Sequence, residues 1–227
     1  MTGPARGRGD LTGRLGVYVV TGTDPARGRG HLDVALAAVA GGADAVQLRA
    51  PELTDDELLA LARTLAARCA TAGVLFLVND RVDLAVYSGA DGGHLGQGDD
   101  YATARSRLGT DRLLGVSVAT VAEVTAAEAA GADYLGVTVW PTRTKPEAIA
   151  AGLAGLRAVN AVIAATQLPV VGIGGIVAGN AEQVMCAGAA GVGVVSAVSR
   201  AEDPAAAVRG LASIVRRCRT LRAGDGG

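Results

Sequence analysis

The sequence predicts an α/β fold, a single (β/α)8 (TIM) barrel, on three observations. Eight short runs rich in β-branched residues recur along the chain, nearly uninterrupted in apolar character, as expected of strands buried on both faces of a parallel sheet. Ala/Leu-rich amphipathic stretches separate them, so strand and helix alternate. Eight such units in 227 residues match the size of a compact barrel of this class.

The runs are 16–20, 45–48, 74–78, 93–95, 113–116, 134–137, 169–173 and 191–195. Thr54-Asp55-Asp56-Glu57 opens the helix after the second run, with a cap residue followed three later by Glu, and Ala72-Gly73 closes it. The phrase Gly-Ala-Asp stands just before a strand at 42–44, 89–91 and 131–133, with 188–191, Gly-Ala-Ala-Gly, as a relative. Its glycine suits the left-handed conformation that ends a helix before the chain turns into the next strand. A doubly wound sheet is the alternative, but the first strand-to-helix turn carries no G-x-G-x-x-G run. The expected organisation is a tail over 1–13, one domain over 14–222 and a second tail over 223–227.

Composition narrows the function classes. Lys and Arg total 21 against 22 Asp and Glu, for a formal net charge of −1, and aromatic residues are 3%. Without a basic excess to displace counterions, or rings to stack on bases, nucleic acid is a poor partner. Hydrophobic residues are 50% and mean hydropathy is +0.34, enough for a large core, yet no run of 18 apolar residues supports a membrane span. Cys69, Cys186 and Cys218 lie far apart with no C-x-x-C pair, and they read as reduced thiols of a cytoplasmic protein.

In a barrel of this kind, function sits in the loops after the strand C-termini. The second run ends in Gln47-Leu48-Arg49, the third in Asn79-Asp80-Arg81-Val82-Asp83 and the fourth in His94-Leu95-Gly96-Gln97-Gly98-Asp99-Asp100. Taken alone, Arg49 is a solvated strand-end charge, and Asp80, Asp99 or Asp100 caps the following helix. Two carboxylates at adjacent strand ends nevertheless converge on one mouth and suit Mg2+ shared with a diphosphate. After the sixth run comes Trp140-Pro141-Thr142-Arg143-Thr144-Lys145-Pro146, two hydroxyls and a cation between prolines. The seventh and eighth runs end in Gly172-Ile173-Gly174-Gly175-Ile176 and Val194-Val195-Ser196-Ala197, where such barrels commonly bind phosphate. His94 reads as a satisfied inward imidazole rather than a catalytic one.

The ordered set Gln47-Leu48-Arg49, Asn79-Asp80-Arg81-Val82-Asp83, His94-Leu95-Gly96-Gln97-x-Asp99, Gly115-Val116-Ser117, Pro141-Thr142-x-Thr144-Lys145-Pro146, Gly172-Ile173-Gly174-Gly175-Ile176 and Val195-Ser196-Ala197 resembles the thiamine-phosphate synthase family over roughly residues 15 to 215. The resemblance implies a transferase that joins an aminopyrimidine methyl diphosphate to a thiazole phosphate and releases pyrophosphate. It implies that Asp80 and Asp99 ligate Mg2+, and that Gln47, Arg49, Asn79, Ser117 and Lys145 hold the pyrimidine diphosphate. Arg49, Lys145 and Ser117 would act on the reacting groups. Thr142, Thr144, Gly175, Val195 and Ser196 would hold the thiazole phosphate, and a homodimer is implied.

Pro51 stands where the family reads a diphosphate-binding Lys, Ala119 where a Ser-x-His would place histidine, and Val137-Thr138 where Gly-Pro is frequent. The competing readings are a thiazole tautomerase-like isomerase, which uses the histidine replaced here by Ala119, and a non-catalytic barrel that binds thiamine precursors or phosphates.

Overall fold

In each strand of the barrel, alternate side chains face the interior and the surrounding helices, so both sets must be apolar or paired. A computed structural model describes residues 11–140 and 153–224. Its elements are β1 (Val17–Val20), α1 (His31–Ala40), β2 (Ala45–Leu48), α2 (Asp55–Ala72), β3 (Leu75–Asn79), α3 (Val82–Ser88), β4 (Gly92–Leu95) and α4 (Tyr101–Leu108). They continue through β5 (Leu113–Val118), α5 (Val121–Ala129), β6 (Tyr134–Thr138), α6 (Leu153–Ala164), β7 (Val170–Ile173), α7 (Ala178–Cys186), β8 (Gly191–Val194), α8 (Ser196–Ser199) and α9 (Pro204–Gly224). The strands pair in parallel in sequence order, and β8 returns to β1 to close the barrel. The α/β barrel expected from the eight runs is the fold observed.

Two separate apolar clusters follow from the alternation. Outward residues such as Val19, Val46, Phe76, Val116 and Leu135 pack with helix residues including Val34, Leu65 and Val208. Inward residues Tyr18, Val20, Ala45, Leu75, Leu77, Leu113, Tyr134 and Val171 form a second cluster with Leu11 and Leu15. Leu11 is 6% exposed within this second cluster, and α9 runs to Gly224.

The Gly-Ala-Asp phrase has a second role that its spacing did not reveal. Gly42, Gly89 and Gly131 do adopt positive φ, between 79° and 83°. The aspartates then accept a backbone hydrogen bond from the preceding strand: Asp44 Oδ2 from Val17 N, Asp91 Oδ2 from Phe76 N and Asp133 Oδ2 from Leu114 N, each at 2.8 Å. Each Asp amide also donates back, to the carbonyl of the same partner residue. In the fourth repeat Ala190 N donates to Val170 O, but alanine has no carboxylate to return the bond, and Arg219 and Arg222 instead donate to the carbonyls of Ala190 and Ala189.

Asp133 is the most heavily used of these acids, since Arg105 Nη2 also donates to it at 2.5 Å while the same guanidinium binds the carbonyls of Gly109, Arg112 and Gly131. Asp133→Ala strands the Leu114 amide and the Arg105 guanidinium in a largely buried site. The expected loss is about 3 kcal/mol in urea denaturation, and an unshifted midpoint would contradict the buried-pair account.

Candidate active site at the C-terminal mouth

The strand-end residues divide by which way the pleat points them. Gln47 of β2, Asn79 of β3 and Ser117 of β5 continue the inward series that begins with Ala45, Leu75 and Leu113. Gln47 is 3% exposed, and its side-chain nitrogen is buried without a hydrogen-bond partner among the described residues. Such a donor is costly to leave unsatisfied, so it points to a ligand acceptor.

Arg49 is exposed, and its backbone is anchored: its N–H donates to Thr21 Oγ1 at 3.0 Å, and Thr21 N donates to Gln47 O at 2.8 Å. Buried His31 completes the brace, with Nδ1 3.0 Å from Thr21 Oγ1 and Nε2 2.5 Å from Glu52 Oε1. Burial raises the Glu52 carboxyl, but the His31 hydrogen bond and nearby positive charge outweigh it and hold the group below its ordinary value. Beside Pro51, therefore, the loop carries a carboxylate tied to an imidazole in place of a lysine. No sequence pattern linked Thr21, His31 and Glu52, because they meet only when the first and second loops fold together.

Asp80 and Asp99 open onto one cavity of about 220 Å3, lined also by Val82, Leu95, Asp100, Thr103, Ala104 and Arg107. The capping alternatives are now separated. Asp100 is the cap of α4, accepting from Thr103 N at 3.0 Å and Thr103 Oγ1 at 2.6 Å, and those bonds hold its carboxyl below the usual range. Asp99 instead turns into its own loop and accepts from Gly96 N at 2.8 Å. Asp80 does not take the cap position of α3, which Arg81 occupies.

The Asp80 backbone is held in the left-handed region, φ 58°, with its N–H donating to His94 O at 2.9 Å. Arg81 secures the turn by pairing with Asp55 at the start of α2 and with Asp83 at 3.0 Å, and the Arg81 hydrogen bonds keep both carboxyls below their ordinary values. Among the described residues no three His, Cys, Asp or Glu side chains converge as a closed metal cage. Two carboxylates on an open cavity suit a hard divalent ion whose shell is completed by water and phosphate oxygens.

Ser117 Oγ lies 3.0 Å from His94 Nε2, His94 Nδ1 lies 2.9 Å from Tyr134 Oη, and that oxygen lies 2.8 Å from Tyr18 Oη. His94 is 8% exposed and bonded through both ring nitrogens, which is the satisfied inward imidazole expected from the sequence. Across the mouth, Gly174 and Gly175 have φ of 89° and 65°, and Asn180 Nδ2 donates to Gly175 O at 3.0 Å. Val195 and Ser196 are exposed, with Ser196 opening the short α8. Thr142, Thr144 and Lys145 lie outside the described residues.

Comparison with known proteins decides what kind of mouth this is. The family model described as thiamine monophosphate synthase matches residues 17–198. The chain belongs to the thiamine-phosphate synthase family. It is 48% identical over 196 residues to a thiamine-phosphate synthase of Haloquadratum walsbyi, covering 86% of this chain and 88% of the relative. The thiamine-phosphate synthase of Moorella thermoacetica is likewise 48% identical over 206 residues, covering 89% and 97%. The solved structure of a thiamine phosphate pyrophosphorylase from Pyrococcus furiosus superposes with a TM-score of 0.82 at 34% identity, over 92% of this chain and 99% of that one. A 3-hexulose-6-phosphate synthase from Salmonella typhimurium, with a TM-score of 0.70 at 19% identity over 89% and 99%, shares the fold alone.

Within this thiamine-phosphate synthase barrel, the left-handed Asp80 identifies a place where conformation is held against local preference. Asp80→Gly should be more stable than Asp80→Val by about 1–2 kcal/mol, because only glycine takes that φ without a Cβ penalty. Equal melting temperatures for both variants would show that the turn is not strained.

Proposed function

We propose that this chain, a transferase of the thiamine-phosphate synthase family, joins 4-amino-2-methyl-5-(diphosphooxymethyl)pyrimidine to 4-methyl-5-(2-phosphoethyl)thiazole, giving thiamine phosphate and pyrophosphate. The observation that carries the substrate assignment is the unpartnered amide nitrogen of Gln47, a buried donor suited to a ring nitrogen of a neutral heterocycle. Asn79 and Ser117 share its inward series, and Asp80 and Asp99 share the neighbouring cavity.

In this reading the C–O bond between the pyrimidine methylene and the diphosphate breaks with its electron pair leaving on the diphosphate. The thiazole nitrogen lone pair then forms the new C–N bond. No side chain has to remove a proton, so the Ser117–His94 hydrogen bond need not act as a nucleophile–base pair in this chemistry. Arg49 and Lys145 bind the leaving diphosphate, and Gln47, Asn79 and Ser117 orient the pyrimidine beneath it. Thr142, Thr144, Gly175, Val195 and Ser196 bind the thiazole phosphate, placing the nucleophile opposite the departing group. Asp80 and Asp99 would hold Mg2+, which would supply positive charge to the diphosphate when bound. The setting inferred is the cytoplasm, with two copies of the chain paired; among the described residues no helix is long and apolar enough to cross a membrane.

Mixing the two substrates with the protein and Mg2+ should release pyrophosphate and form thiamine phosphate in equal amounts. Pyrophosphate release that ignores the thiazole phosphate, or no release at all, overturns the reading. Asp80→Asn and Asp99→Asn should each raise the Mg2+ concentration needed for half-maximal rate by about tenfold or more, as expected for removing one charged ligand of a sparse site. An identical Mg2+ dependence in both variants removes them as the ligand pair.

Gln47→Met separates binding from folding. Removing an unpaired buried donor should stabilise the unliganded protein by about 1 kcal/mol while weakening the pyrimidine diphosphate by about tenfold. Calorimetry and thermal melting would show the two opposed shifts, and a variant that is less stable yet binds normally contradicts the assignment.

A further inference from the structure

Four polar groups cross the barrel interior as one hydrogen-bonded line, Tyr18 to Tyr134 to His94 to Ser117, and only its last member touches the mouth. The line has room because glycine occupies the adjoining inward positions. A methyl group at Gly115 would overlap the Tyr134 ring and stand 2.5 Å from His94 Nδ1, and one at Gly136 would stand 3.2 Å from His94 Cε1. The rings are packed against one another, with the His94 and Tyr134 centroids 5.5 Å apart and those of Tyr18 and Tyr134 6.0 Å apart.

Counting hydrogens gives the line a direction. Each phenol has one hydrogen, and with one hydrogen on the imidazole the bonds run all one way or all the other. In the first arrangement Tyr18 donates to Tyr134, Tyr134 donates to His94 Nδ1, and His94 Nε2–H donates to Ser117 Oγ. Every buried hydrogen is then used. In the reverse arrangement Ser117 donates to Nε2, Nδ1–H donates to Tyr134, and Tyr134 donates to Tyr18. The Tyr18 hydroxyl, on a residue 2% exposed, then has no acceptor among the described residues. Burial raises both phenols above their ordinary values, so both keep their hydrogens.

We propose that Tyr134 and Tyr18, acting through His94, are positioning residues that hold Ser117 as a hydrogen-bond donor toward the substrate. With His94 Nε2–H occupying a lone pair of Oγ, the Ser117 hydrogen is turned away from the ring and toward the mouth. There it meets an acceptor atom, a pyrimidine nitrogen or an oxygen of the departing diphosphate. The role of that hydrogen in turnover rests on the reaction proposed above; its direction rests only on the geometry.

The direction can be read without any substrate. In 15N NMR of the ligand-free protein, His94, assigned by the signals lost in His94→Gln, should carry its hydrogen on Nε2 and be bare at Nδ1. A hydrogen on Nδ1 overturns the proposal. In turnover assays Tyr134→Phe should lower kcat by about tenfold, with KM for both substrates within about twofold of native, because the loss falls on orientation rather than binding. Tyr18→Phe, which leaves Tyr134 free to donate to Nδ1, should lower kcat less than Tyr134→Phe.

His94→Gln, whose amide reaches the Nε2 position, should retain more turnover than His94→Asn, which reaches only the Nδ1 position. A folded Tyr134→Phe with native kcat, or an Asn variant that matches Gln, counts against the proposal. Native protein that shows Nε2–H but makes no thiamine phosphate overturns the reaction and leaves the donor assignment supported.

Discussion

The structure depends on filling the inside of a closed eight-stranded barrel whose volume is set by its strand number. Here large and minimal side chains alternate across that space. Tyr18, Tyr134, His94, Leu113 and Ile173 project inward, and Gly92, Gly115, Gly136 and Gly193 stand where a Cβ would press on one of them. Filling the centre with phenols and an imidazole, rather than leucines, obliges those groups to pair, because an unpaired polar atom in that interior is costly. One requirement thus produces both the packed floor and a polar line that surfaces at Ser117.

Three loops of the mouth are braced for a related reason, each by side chains beside the polar residues it carries. Thr21 and His31 tie down the backbone at Arg49, Arg81 pins the turn that holds Asp80 left-handed, and Asp100 caps α4 so that Asp99 remains in the loop. At the opposite end Asp44, Asp91 and Asp133 accept from amides in the first two residues of their neighbouring strands. Acidic residues therefore serve stability at one end of the barrel and face a cavity at the other, as the fold's division of labour between its two faces leads one to expect.

Much of this was legible in the chain. Apolar run length and spacing located all eight strands to within a residue or two, because strands buried on both faces have few polar positions to blur the pattern. The Thr54–Glu57 capping box and the Gly73 stop were readable because capping is local chemistry. Proximity to strand C-termini selected Arg49, Asp80 and Asp99, since in a barrel a strand end is a position in space as well as in sequence, whereas Gln47, Asn79 and Ser117 were named by the family resemblance. The packing of Leu11 with the inward cluster was not legible, because nothing local to it shows which distant residues it meets.

Residue pattern by itself determined the barrel, the ring of strand ends and the family to which those ends belong, because each follows from periodicity or from motifs a few residues long. Tertiary structure alone decided what joins distant loops: His31 with Glu52 across 21 residues, His94 with Tyr134 across 40 and Tyr18 with Tyr134 across 116. It also decided which of two adjacent aspartates caps a helix, and that the Gln47 side-chain nitrogen lies buried without a partner among the described residues. Hydrogen bonding depends on the direction and distance between two atoms, and for residues so far apart in the chain these exist only once the barrel has closed.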